Sequence, residues 1–113
     1  MNRDLRLFVS DILSAMDAIE SFVKGMSLEQ FTNDDKTASA VIRKFEVIGE
    51  AAKNVPSSLQ EKHPDIPWQA MAGMRDRLVH AYFGIDNKLV WAAIKDDIPK
   101  LKPKVERLLS ELG

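Results

Sequence analysis

The apolar residues of the first 23 positions recur at steps of three and four, which is the spacing of one face of an α-helix. The residues on this face are Leu5, Phe8, Val9, Ile12, Leu13, Met16, Ile19, Phe22 and Val23. Gly25 follows the pattern and is of the residue type that most often ends a helix. A helix with so wide an apolar face must be covered by other elements of the chain.

A second segment shows the same spacing and is expected to form the second long helix. Its apolar positions are Ala38, Val41, Ile42, Phe45, Ile48, Ala52 and Val55. Asn33, Asp34 and Asp35 precede these positions and offer side-chain oxygens that can cap the helix. Gly49 lies inside it, where glycine costs about 1 kcal/mol relative to alanine. That cost indicates that another helix passes close by.

The rest of the chain predicts further helices. A short helix is expected over residues 57–62, and a third long helix is expected to begin with Pro67 in its first turn and to close at Gly84. Asp86 or Asn87 is expected to cap a fourth helix. The apolar face of this fourth helix comprises Leu89, Val90, Trp91, Ile94 and Ile98.

Two prolines shape the end of the chain. Pro99 is expected to form a joint, and the last helix is expected to bend near Pro103. No stretch alternates apolar and polar residues as a half-buried strand does. The sequence therefore predicts an all-α fold, an up-and-down helical bundle of four main helices plus short helices. Its length predicts a single domain over residues 1–113.

Composition excludes several classes of function. The chain has no cysteine, which rules out disulfides, thiolate catalysis and cysteine-based zinc sites. The formal net charge of −1 argues against sequence-blind nucleic-acid binding through global charge, but not against a local basic pocket. Phosphate-cradling glycine loops and paired metal motifs are absent, so neither a cofactor nor a metal ion is expected. Without an apolar signal core or a membrane-spanning run, the protein is expected to be cytoplasmic.

Residues 75–82, Arg-Asp-Arg-Leu-Val-His-Ala-Tyr, hold one of the two histidines and the only tyrosine. On a helix Asp76 and His80 are one turn apart, so the carboxylate can hold the imidazole in one tautomer. Arg75 and Tyr82 point in nearly the same direction, between apolar side chains, where an arginine needs a partner or a ligand. Because Arg75 and His80 lie roughly 140° apart on an ideal helix, a second copy of the helix is needed to bring the two residue types together.

These residue types suit metal-free cleavage of RNA. A histidine can titrate near neutral pH, and an arginine recognises phosphate. His80 would take the proton from the ribose 2′-hydroxyl as it attacks phosphorus, or protonate the leaving 5′-oxygen, while Arg75 stabilises the non-bridging oxygens. On residue types alone the alternatives stay open: a structural or surface role for His80, a solvated charge pattern for Arg75 and Asp76, and core packing for Tyr82.

The last helix carries a basic run. Lys100, Lys102, Lys104 and Arg107 lie on it, opposed by Glu106. This run either steers RNA or solvates the helix. The second histidine, His63, is interpreted as a loop residue.

The spacing Arg-x4-His-x-Tyr of Arg75, His80 and Tyr82 resembles the signature of the HEPN superfamily, specifically its HepT-like toxins. The likeness continues in order, with short gaps, along nearly the whole chain. The further blocks that resemble the family are residues 11–13, 45–52, 66–68, 73–75, 82–86, 90–91 and 97–99.

The resemblance implies a small helical bundle that forms a homodimer, with the two Arg-x4-His motifs meeting in a cleft at the interface. The implied activity is that of a toxin, a metal-independent endoribonuclease that acts on RNA and in some members on tRNA. The implied partner is a minimal nucleotidyltransferase antitoxin, MntA, which transfers AMP from ATP onto the motif tyrosine, here Tyr82. The added phosphate would block the pocket that Arg75 prepares for RNA. Asp76 stands where the superfamily has a polar residue that is often asparagine.

Three hypotheses from different classes follow. The first is a ribonuclease toxin neutralised through Tyr82. This hypothesis predicts that the protein cleaves RNA in EDTA and that replacing Arg75 or His80 by alanine abolishes cleavage. The second is a non-catalytic binding module that presents a substrate or itself to the nucleotidyltransferase. The third is a purely structural helical dimer, in which His80 can be replaced without effect on RNA, partner or growth.

Overall fold

A computed structural model of the chain describes the backbone of residues 2–83 and 86–112 and the side chains of residues 5–80 and 86–112. Every regular element in these ranges is helical, which confirms the all-α prediction for the part of the chain described. The helices are α1 (Asn2–Phe22), α2 (Leu28–Thr32), α3 (Asp35–Asn54), α4 (Ser57–Lys62), α5 (Trp68–Phe83), α6 (Asn87–Ala92) and α7 (Ile98–Glu111), with a π-helical turn at Ala93–Asp97.

Local sequence sets the helix ends. Gly25 adopts a φ of +78° just after α1, a conformation that side chains with a Cβ disfavour. Asp34 caps α3 through its Oδ1, which accepts from the Thr37 N–H at 3.0 Å, and this bond lowers the pKa of Asp34. Asp86 caps α6 in the same way. Gly84, the expected end of α5, lies outside the described residues.

The structure corrects two predictions about prolines. Pro67 lies one position before its expected place in α5, and the joint expected at Pro99 lies about one turn earlier. Pro67 precedes α5 rather than lying in it, and its carbonyl accepts the N–H of Met71. The joint expected at Pro99 lies instead in the π-helical turn just before it, where the Ile98 N–H bonds to the Ala93 carbonyl. A proline ring clashes with the carbonyl four residues earlier, here that of Lys95, so the helix widens ahead of the proline. Helix α7 continues through Pro103.

The core lies where α3 packs between α1 and α5, and α7 returns to pack on α1. The buried positions of α1 follow the three- and four-residue spacing, and no charged or polar side chain is buried among the described residues. Phe22 and Leu89, expected on apolar faces, are instead 40% and 38% exposed. Each neighbours a buried valine in sequence and therefore points about 100° away from it.

Helix α7 is tied to α1 by one member of the basic run. The Nζ of Lys102 lies 2.7 Å from carboxylate oxygens of both Asp17 and Glu20. These two carboxylates raise the pKa of Lys102 above its usual value. Lys102 therefore has a structural role within the subunit. No helix among the described residues is long and apolar enough to cross a membrane.

Candidate active site

Helix α5 presents three of the four predicted site residues, Arg75, Asp76 and His80, on its exposed surface. Its buried side chains follow the helical spacing; they are Trp68, Met71, Met74 and Leu78. The indole Nε1 of Trp68 donates to the His63 carbonyl at 3.1 Å, which fixes the start of the helix. Because one side of α5 is anchored in the core, Arg75, Asp76, Arg77 and His80 are all left exposed.

Gly49 sets the distance between α3 and α5 at the level of Arg75. A Cβ at position 49 would lie 3.0 Å from the Arg75 Cβ and 3.2 Å from the Ala72 carbonyl oxygen. Contacts this short are tighter than a Cβ normally makes, so any side chain here would push α3 and α5 apart by a few tenths of an ångström, and glycine favours their close approach. The prediction that a helix passes close to Gly49 is confirmed.

The close approach brings two glutamates of α3 to Arg75. The Arg75 Nε lies 3.7 Å from a Glu50 carboxylate oxygen and 3.9 Å from one of Glu46. Its Nη1 lies 3.3 Å from Oδ1 of Asp76, the next residue. Arg75 therefore has ionic partners, as predicted, but its side chain is 46% exposed and does not lie buried among apolar residues as its sequence context suggested. Exposed ion pairs contribute about 0–1 kcal/mol each, so these carboxylates orient the guanidinium without preventing its exchange to another anion.

The structure does not bring Asp76 and His80 together within the subunit. Asp76 accepts from Arg75, its side chain is 83% exposed, and no hydrogen bond joins it to His80, although both side chains are described. The base-orienting role of Asp76 therefore stays a prediction. Tyr82 belongs to α5 by its backbone, and its side chain lies outside the described residues.

A second feature of α5 lies on the side opposite Arg75. Arg77 is roughly 160° from Arg75 around the helix, and its Nη2 lies 3.7 Å from Oδ2 of Asp97 in the π-helical turn. Between α5 and α7 lies a half-open cavity of about 300 Å³, which we call the α5–α7 cleft. It is lined by Pro67, Ala70, Met71, Met74, Arg77, Asp97, Lys100, Leu101 and Lys104.

This cleft was not predicted from the sequence. The basic run of α7 was noted, but the row of lining residues at positions 67, 70, 71, 74 and 77 was not. The last four belong to α5, and the spacing places the row on one side of a helix. That row could have been read from the sequence. Its pairing with α7 could not, because it depends on how the π-helical turn orients the last helix.

The exposed surface of α5 therefore offers a permanent cation, a histidine accessible to solvent, and a cationic cleft. A histidine can take or give a proton, and an arginine can hold phosphate oxygens. Among the described residues, no group of three histidine, aspartate or glutamate side chains is placed to hold a metal ion.

Comparison with known proteins gives one family and several close relatives. A family model described as ribonuclease HepT-like matches residues 12–108. A protein of Thermococcus cleftensis named as a probable ribonuclease HepT is 48% identical over 108 residues, covering 96% of this chain and 98% of its own. One from Methanocaldococcus jannaschii, provisionally named an RNase, is 47% identical over 110 residues, covering 97% and 95%. One from Caldanaerobacter subterraneus, with a similar name, is 40% identical over 106 residues, covering 94% and 95%. No solved structure matches significantly.

Proposed function

The chain belongs to the HepT-like ribonuclease family, and from this premise we propose that it is an RNA-cleaving toxin of a toxin–antitoxin pair, acting in the cytoplasm. The observation that carries the proposal is the Arg-x4-His pair of Arg75 and His80 on the exposed side of α5. Relatives named for RNA cleavage span nearly the whole chain, which supports the same substrate here.

The proposed reaction is attack by the ribose itself. His80 removes the proton from the 2′-hydroxyl, the 2′-oxygen bonds to the adjacent phosphorus, and the bond to the 5′-oxygen breaks as that oxygen receives a proton. Arg75 donates hydrogen bonds to the non-bridging oxygens, where negative charge accumulates. The products are a 2′,3′-cyclic phosphate and a 5′-hydroxyl, and no metal ion takes part.

We propose that the active form is a homodimer. Arg75 and His80 lie roughly 140° apart on one helix, so one subunit does not aim both at the same phosphate. Two α5 helices that face each other offer two histidines, one to accept the proton of the 2′-hydroxyl and one to protonate the leaving oxygen. The half-exposed side chain of Arg75 is accessible for such an arrangement.

We propose that an MntA-like nucleotidyltransferase silences the enzyme by AMPylation of Tyr82. The tyrosine oxygen attacks the α-phosphorus of ATP, a phosphodiester forms, and pyrophosphate leaves. Tyr82 follows Arg75 by seven positions, about two helical turns on the same side. A phosphate attached there brings negative charge to the guanidinium and competes with RNA.

The test is cleavage of a labelled RNA by the purified chain in EDTA. We expect a 2′,3′-cyclic phosphate at the cut and no cleavage of the same sequence as DNA. Arg75→Ala and His80→Ala should lose cleavage and keep the wild-type melting temperature, because both side chains are exposed. His63→Ala, which alters the other histidine, is the matched control. Cleavage by both site variants at the wild-type rate would contradict the assignment.

A second function, a non-catalytic module that binds the nucleotidyltransferase, is favoured by one observation. Three carboxylates surround Arg75, and they oppose the approach of a phosphate. If the module hypothesis holds, the purified dimer binds its partner tightly and leaves RNA intact even at high protein concentration. Cleavage that requires His80 excludes it.

A further inference from the structure

The α5–α7 cleft differs in charge from the surroundings of Arg75. Its lining includes the cations of Arg77, Lys100 and Lys104 against the single carboxylate of Asp97. Around Arg75 the ratio is reversed, with three carboxylates to one guanidinium. In a chain of formal net charge −1, the cleft is a local concentration of positive charge, and such a concentration attracts polyanions.

The cations of the cleft are available in different degrees. Lys100 is exposed, and no ion pair engages it among the described residues. The Nζ of Lys104 donates to the backbone carbonyl of Asp65 at 2.9 Å, so no carboxylate neutralises it at that contact. Arg77 keeps a loose pair with Asp97 at 3.7 Å. By contrast Lys102, between the two lysines, is held by two carboxylates of α1.

The floor of the cleft is apolar. Pro67 and Ala70 line it and are exposed, while Met71, Met74 and Leu101 are buried beneath. The cavity of about 300 Å³ is at the lower end of the range for small organic ligands. A cationic rim over an apolar floor matches the two parts of an unpaired nucleotide, which are a phosphate and a base with exposed faces.

The cleft also lies near the predicted general base. His80 follows Arg77 by three positions, about 60° around the helix and about 4.5 Å along it. Arg75 is roughly 140° away from His80 around the same helix. Within one subunit, therefore, His80 shares its side of α5 with the cleft rather than with Arg75.

We infer that the α5–α7 cleft binds the single-stranded RNA that flanks the cleavage point, with its phosphates on Arg77, Lys100 and Lys104 and a base against the apolar surface of Pro67 and Ala70. The inference rests on the proposed RNA-cleaving function and adds a binding site to it. The bound strand reaches His80 from the side of Arg77, and the phosphate to be cut lies beyond the cleft. The cleft supplies the attraction for RNA that the acidic surroundings of Arg75 do not.

The test is binding of a fluorescent single-stranded RNA of about 12 nucleotides to the full chain, in EDTA, on a His80→Ala background that prevents cleavage. The double variant Lys100→Gln/Lys104→Gln should raise Kd about tenfold. For two lost phosphate contacts it should also reduce the slope of log K against log salt by about 1.4. Lys53→Gln/Lys62→Gln removes the same charge from exposed lysines outside the cleft. It should change Kd by less than twofold and leave the salt slope unchanged.

Lys100→Gln alone keeps the test decisive if the double variant is unstable, because Lys100 is exposed and has no pair to lose among the described residues. We expect it to weaken RNA binding about threefold. Equal Kd values and salt slopes for the cleft and control variants would overturn the proposal. Binding of AMP in the cleft as tightly as the oligonucleotide would also overturn the proposal, because the cleft would then be a site for a free nucleotide. Cleft variants that bind the nucleotidyltransferase more weakly but bind RNA normally would assign the cleft to a protein partner, and this result would also overturn the proposal.

The outcomes also separate this proposal from the proposed catalysis. If wild-type protein leaves RNA uncut but binds it through the cleft, the ribonuclease assignment fails and the binding site stands. If wild-type protein cuts RNA and the cleft variants bind and cut it normally, the binding site fails and the ribonuclease assignment stands.

Discussion

Arg75 and Arg77 are two residues apart on α5 and lie in opposite electrostatic surroundings. Arg75 faces α3 and has carboxylates of Glu46, Glu50 and Asp76 within 4 Å. Arg77 faces the junction with α7 and borders a cleft with two lysines. The signature arginine is thus the one with the more negative surroundings.

The difference shows that a motif determines the residue types and their order, whereas the charges of the neighbouring helices determine the electrostatic field at each side chain. Gly49 allows α3 to come close to α5, and as a result Glu46, three positions before it, and Glu50, one position after it, reach Arg75. The π-helical turn ahead of Pro99 orients the lysines of α7 toward Arg77. We interpret the two sides as a division of roles, with Arg75 acting on the reacting phosphate and Arg77 on the bound strand.

The largest expected effect separates these roles directly. Arg75→Gln should lower kcat by about 10²–10³, the loss typical when a donor that stabilises transition-state charge is removed. Arg77→Gln should mainly raise KM, by about tenfold or less, because it weakens attraction to the strand. Steady-state kinetics on one RNA substrate measure both. Equal losses of kcat in the two variants would remove the distinction between the two sides of the helix.

The second effect concerns the helix spacing that places the glutamates on Arg75. Gly49→Val inserts atoms where a Cβ already meets the Arg75 Cβ at 3.0 Å, so overpacking should cost about 1–3 kcal/mol of unfolding free energy. Gly73→Ala on α5 meets nothing within 4 Å and should stabilise by up to about 1 kcal/mol. Urea unfolding measures both changes. A neutral Gly49→Val would show that the close approach of α3 and α5 is not required.

Much of the fold was predictable because helical periodicity and capping chemistry act locally. The Gly25 turn and the close helix at Gly49 were inferred from residue type and position, and the observed caps, Asp34 and Asp86, are each among the candidates that the sequence offered. The joint was placed at Pro99 and lies in the preceding turn, because a proline acts on the carbonyl four residues before it.

The site was less predictable because its geometry depends on contacts between distant segments. Residues 75–82 contain the predicted site side chains, but nothing in this segment predicts that glutamates about 25 to 30 positions earlier pair with Arg75. The expected contact between Asp76 and His80 is absent from the described hydrogen bonds, since Asp76 accepts from Arg75 instead. Likewise the basic run gave four equivalent cations, and only tertiary packing distinguishes Lys102 from Lys100.

A third, smaller effect tests the acidic side of the comparison. Glu46→Gln/Glu50→Gln removes two carboxylates near Arg75 and should tighten RNA binding several-fold at low salt, with the gain diminishing as screening increases. Glu29→Gln/Glu61→Gln, which changes two exposed glutamates on other helices, should have less effect. Binding measured at two ionic strengths separates the local contribution from the change in net charge. Weaker RNA binding by the site variant would mean that the glutamates hold Arg75 in a productive position rather than compete with RNA.

The smallest expected effect distinguishes two members of the basic run. Lys102→Gln breaks the ties to Asp17 and Glu20 and should lower the unfolding free energy by about 1 kcal/mol or less, as for exposed ion pairs. RNA affinity should stay within twofold of wild type, unlike that of Lys100→Gln.

The same variant has a specific pH dependence. Because two carboxylates raise the pKa of Lys102 above its usual value of 10.5 in the folded state, its contribution to stability is complete below that value and is lost as pH rises through the folded pKa. The difference in stability between wild type and Lys102→Gln, measured by thermal melts, should therefore be constant from pH 7 to about pH 10 and decrease at higher pH. A gap that does not change with pH would mean that packing of the lysine stem, and not its charge, joins α7 to α1. An RNA affinity that falls as far as in Lys100→Gln would extend the RNA-binding surface to a lysine that the structure assigns to the subunit's own fold.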